Sequence, residues 1–155
     1  MGILKGLVKL QLPIQVEEET PIKKEQSWDE FWPAFNTAVQ NGDAAGVVKM
    51  SVMPLQGHHH GPLDARHFTE HFNDIFDAKA KEVFANATDQ SFMTVKAELE
   101  EMAKTMNVEK GTKLKVLTVN YISDKGTAGQ SESTTLFNFG KINGQYKLVS
   151  MMQAG

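Results

Sequence analysis

The sequence predicts an α+β domain of segregated order, with helices first and an antiparallel meander last. Three observations carry this reading. Apolar residues recur at helical spacing between Trp28 and Met106, the stretch Thr112 to Gly155 reads as three consecutive antiparallel strands, and Asn143-Gly144 supplies the two positive-φ positions of a type I′ hairpin. From that turn, Ile142 faces Gln145, and the pairing runs Lys141 with Tyr146, Phe139 with Leu148 and Phe137 with Ser150. One sheet face then carries Phe137, Phe139, Tyr146, Leu148 and Met152. The other carries Leu136, Asn138, Val149 and Met151, which is too apolar for a surface left to water.

The elements follow in chain order. Val8, Leu10, Leu12, Ile14 and Val16 alternate with polar residues and Pro13, the pattern of an edge strand or an arm; the charged stretch Glu17 to Gln26 reads as a linker. Residues 1–26 are thus an N-terminal arm, and 27–155 a single α+β domain. Ser27 caps the first helix with Glu30 closing a capping box, and Trp28, Phe31, Trp32, Phe35, Ala38 and Val39 form its apolar stripe. Pro33 conflicts with that helix and predicts a late start or a kink, while Asn41-Gly42 ends it. Asp43 caps a short second helix to about Met50, and an extended Val52 to Leu55 leads into a loop running to Pro62. Asp64 caps a third helix with Phe68, Phe72, Ile75 and Phe76 on its core face, and Ala78 to Ala87 continues it or starts another. Phe92 and Met93 fit a short strand, and Ala97 to Met106 has helical spacing.

Composition excludes several classes of function. At 155 residues the chain is one domain with room for a real core, and without cysteine it has neither disulfides, thiol catalysis nor thiolate zinc sites. A formal charge of −3 gives no basic field for nucleic acid, and no apolar run approaches the ~18 residues of a membrane span. Met1 to Leu12 is broken by Lys5 and Lys9 and lacks a cleavage site, and Gly6 stands where a myristoylation signal needs Ser or Thr; the expectation is a cytoplasmic protein.

Several phrases resemble the nuclear-transport-factor-2-like superfamily, also called SnoaL-like or cystatin-like, and above all its bacterial members of unassigned role. They are the aromatic first helix ending in Val39-Gln40-Asn41-Gly42-Asp43, the Met53-Pro54-Leu55 turn, the Phe68 to Phe76 helix, and Phe137 to Leu148 around the hairpin. The resemblance covers roughly residues 27–155 and implies helices packed in the concavity of one strongly curved, mainly antiparallel sheet, a cone. It also implies an internal pocket and a homodimer through the outer sheet face, with Leu136, Val149 and Met151 as contacts. The family's Tyr/Asp and His/Asp catalytic constellations have no matching positions here.

The candidate site residues divide into three groups. Trp32, His71, Tyr121 and Tyr146 combine apolar area with a polar handle, as liners of a small-ligand pocket would, and core packing is the competing reading. His67 and His71 have the i, i+4 spacing of a shared helix face; with His58 and His60 from the His58-His59-His60 run they form an alternative metal set, with Asp64 or Asp74 as an added carboxylate. Against that set, consecutive histidines diverge and HExxH is lacking, so no metal or other cofactor is expected. The expected function is a non-catalytic binding or structural domain for a small apolar ligand. The alternative is a lyase, isomerase or hydrolase with His67 or His71 as general base.

Overall fold

The computed structural model describes residues 25–96, 108 and 111–154. The expected arm strand Val8 to Val16, most of the linker and the expected Ala97 to Met106 helix lie outside the described residues. The helices are α1 (Trp28–Gln40), α2 (Ala44–Lys49), α3 (Ala65–Glu70), α4 (Phe72–Ile75) and α5 (Ala78–Ala85). A 3-10 turn, Asp89–Ser91, leads into the strands β1 (Phe92–Lys96), β2 (Lys113–Ser123), β3 (Ser131–Ile142) and β4 (Gln145–Ala154). They form one antiparallel sheet in sequential order. None of the described helices is long and apolar enough to cross a membrane.

Local chemistry explains most of the boundaries. The Ser27–Glu30 capping box starts α1 at Trp28, so Pro33 neither delays the helix nor ends it; it lies inside, where its ring nitrogen has no hydrogen for the Asp29 carbonyl. Asp43, Asp64 and Asp77 each accept a backbone N–H in the first turn of α2, α3 and α5. One correction concerns the expected Phe68 to Phe76 helix, which breaks at His71, at once the C-cap of α3 and the residue before α4. Its apolar face survives the break, because Phe68, Phe72, Ile75 and Phe76 are all buried.

Asn143 and Gly144 take φ of 52° and 78°, and the expected pairs hold from Ile142–Gln145 to Phe139–Leu148. There the register shifts. Asn138 pairs with Ser150, and Phe137 with Met151 rather than with Ser150. A bulge adds one residue to one strand, so every later side chain on it changes face. Met151 therefore turns into the main core with no exposed area, and Met152 turns outward, the reverse of the alternation read from the hairpin.

The sheet's inner face, with Leu117, Val119, Phe137, Phe139, Leu148 and Met151, packs on the helices in one aromatic core. Its outer face carries a second cluster of Leu114, Val116 and Val149, flanked by Val52, Val95, Val108, Leu136 and Ile142. Val149 is 1% exposed and Met151 is fully buried, so neither presents surface to a second copy as the dimer reading expected. Leu136 stays on the outer face, beside the exposed Met93 and Met152.

Candidate functional site

The inner face is apolar toward the hairpin turn and polar at its other end. Register places Tyr121 opposite Ser133 and Thr135 opposite Gln153, so β2, β3 and β4 together present hydroxyl and amide groups there. The α4–α5 corner adds Asp74, Ile75 and Asp77, and the histidine loop adds His59. These residues line an open cleft of about 420 Å³.

Asp77 organises the corner. Its Oδ1 accepts from the Ala80 backbone N–H at 2.9 Å, as the cap of α5, and from the Tyr121 hydroxyl at 3.0 Å. Burial and the Asp77 carboxylate push the Tyr121 phenol well above its ordinary range. Tyr121 is therefore a hydrogen-bond donor, not a base.

The loop beside the cleft stacks imidazoles. Ring centroids lie 4.4 Å apart for His58 and His59, 4.1 Å for His59 and His60, and 5.3–5.4 Å from His71 to His58 and His60. His58 Nδ1 accepts from the His60 backbone N–H at 3.2 Å, and Gln153 Oε1 accepts from the His59 backbone N–H at 2.8 Å while lying 2.7 Å from His59 Nδ1. His58 is 5% exposed; burial first, then His59, His71 and His60, lower its pKa from 6.5 to about 4, with Asp74 opposing. A neutral, acceptor imidazole follows.

The sequence-expected residues fall into different places. Tyr121 lines the cleft, and His71 stands behind it with Nδ1 at 3.6 Å from Asp74 Oδ2. Trp32 and Tyr146 belong to the aromatic core: Trp28 stacks on Trp32 at 5.7 Å and meets Tyr146 edge-on at 5.2 Å. These two do not line the cleft. His67 turns away from the other histidines to Asp64, 2.9 Å from its Nδ1, with an Arg66 guanidinium nitrogen 3.2 Å from Nε2. The alternative metal set of His58, His60, His67 and His71 is thus not assembled, and among the described residues no three His, Cys, Asp or Glu side chains are placed to hold a metal ion. Sequence reasoning missed Asp77, Ser133, Thr135, Gln153 and His59. Asp77 had a legible signal, an aspartate directly before a helical stretch; His59 stood in the His58-His59-His60 run but its place at the cleft is set by the loop, and Ser133, Thr135 and Gln153 depend on cross-strand register.

No family model matches the chain, and no curated protein matches it. Among solved structures, the chain is similar to a protein from Xanthomonas campestris described as a calcium/calmodulin dependent protein kinase II association domain. The likeness covers 80% of this chain and 82% of that one, with a TM-score of 0.41 and 9% sequence identity.

Proposed function

We propose that the protein binds a small polar molecule in the cleft between the α4–α5 corner and the polar end of the sheet. The observation that carries this reading is the convergence of Asp77, Tyr121, Thr135 and Gln153, from four separate elements or junctions, on one open cavity while the remaining inner face is filled with apolar side chains. A cavity with a few convergent polar groups is where a ligand is oriented. The proposal moves the ligand from the apolar interior expected at Trp32 and Tyr146 to a polar rim. The test is a fragment screen read by amide chemical shifts: saturable changes at Tyr121, Thr135 and Gln153 are expected, and changes confined to the aromatic core would overturn it.

A second reading, catalysis on the same cleft, draws on the His71–Asp74 contact beside it. In that reading His71 is the general base of a lyase, isomerase or hydrolase, and His71→Gln abolishes turnover without loss of ligand binding. We further infer a homodimer through the outer sheet face, supported by Met93 at 56% and Met152 at 37% exposure next to Leu136. Sedimentation is the check: Met93→Lys with Met152→Lys should yield monomers, and a dimer that persists refutes this interface.

A further inference from the structure

We propose that the ligand of the cleft is a cationic amine that also carries a hydroxyl group, an inference that rests on the binding reading above. The first observation is charge. Asp74 and Asp77 both line the cavity, and among the described residues that line it there is no lysine or arginine. His71 lies 3.6 Å from Asp74, a contact that is ionic only when the imidazole is protonated, and Lys79, which lines the neighbouring surface hollow, lies 3.7 Å from Glu82. Among the described residues Asp77 meets no cation. Its Oδ1 is held by Ala80 and Tyr121, and among the described residues Oδ2 has no donor, which leaves it to one from the ligand.

The second observation is independent of charge. Thr135 lines the same cavity at 6% exposure, and its hydroxyl has no hydrogen-bond partner among the described residues. A buried hydroxyl left unmatched costs free energy, so the site favours a ligand group that can give and take one hydrogen bond there. The oxygen of Gln153, the cross-strand partner of Thr135, is already engaged by His59, which leaves its amide N–H groups as what that side chain can offer a ligand. A carboxylate ligand would meet two like charges with no cation to offset them. A divalent metal would need a shell of oxygen ligands that the described residues do not assemble.

The experiment compares three probes of one size, 3-amino-1-propanol, 1,3-propanediol and 3-hydroxypropionate, by amide chemical-shift titration. The amino alcohol should bind about tenfold more tightly than the diol, the effect of one charge-assisted hydrogen bond, and the hydroxy acid least tightly. Thr135→Val, which keeps the branched shape, should weaken the amino alcohol about fivefold, the loss of one neutral hydrogen bond. Asp77→Asn should erase the preference for amine over diol; if loss of the α5 cap unfolds that variant, Asp74→Asn is expected to narrow the same preference. A diol or hydroxy acid that equals or beats the amine overturns the inference and leaves the polar cleft standing. If none of the probes moves Tyr121, Thr135 or Gln153, both the inference and the binding reading fall.

Discussion

The two ends of the sheet's inner face are built from the same three strands, yet one is filled and the other is open. Toward the hairpin, Phe139 meets the rings of Trp28, Phe31, Trp32 and Phe35 at 5.2–5.9 Å. At the far end Tyr121, Ser133, Thr135 and Gln153 replace the rings, and the helices answer with Asp74 and Asp77 instead of phenylalanine. The filled end supplies stability through apolar area and edge-to-face ring contacts. The open end contributes little to the core and leaves its polar groups lining an open cleft. Under the binding reading proposed above, a single sheet divides folding from recognition along its own length.

Four substitutions or conditions break or sharpen this contrast. Phe139→Ala attacks the filled end and should lower stability by about 4 kcal/mol in denaturant unfolding, the usual cost of truncating a buried Phe. Next comes Gly57→Ala. Gly57 has φ of +100°, and a Cβ there would collide with the Met151 carbonyl, so the histidine loop must lift from β4; about 3 kcal/mol should be lost and the amide signals of His59 and Gln153 should shift. Third is acid. His58 binds its proton more weakly in the folded chain than its ordinary 6.5, so its contribution is full above pH 6.5 and fades as pH falls toward about 4. Thermal melts at pH 7.5 and 4.5 should differ by on the order of 2 kcal/mol more for the native protein than for His58→Gln. Smallest is Tyr121→Phe, which removes one of the two donors to Asp77 Oδ1 at the open end and should cost about 1 kcal/mol with the filled end unchanged.

The filled end was legible in the sequence and the open end mostly was not. Helical stripes, aspartate caps and the Asn143-Gly144 turn are local signals, and they located α1, α2, the start of α3 and the β3–β4 pairing. The bulge leaves no such mark. Val149 is an ordinary strand residue, and only the tertiary demand to bury Met151 reveals the extra position. The same gap explains the site. Tyr121 stood out by its chemistry, but its bond to Asp77 spans 44 positions and the Thr135–Gln153 pair lies beyond the bulge. His67 and His71 shared a helical period on paper, and the break at His71 sent them to different neighbours.

The residues just before α1 grip the hairpin: the Gln26 N–H donates to the Gly144 carbonyl at 2.9 Å, Gln26 Oε1 accepts from the Tyr146 N–H at 2.8 Å, and Lys141 Nζ reaches Glu25 Oε1 at 2.8 Å. Glu25 and Gln26 therefore sit at the tip of β3 and β4, roughly 25 Å along the strands from Thr135. A label placed at Glu25, whose side chain is 72% exposed, lies at the opposite pole from the cleft and leaves its mouth facing solution.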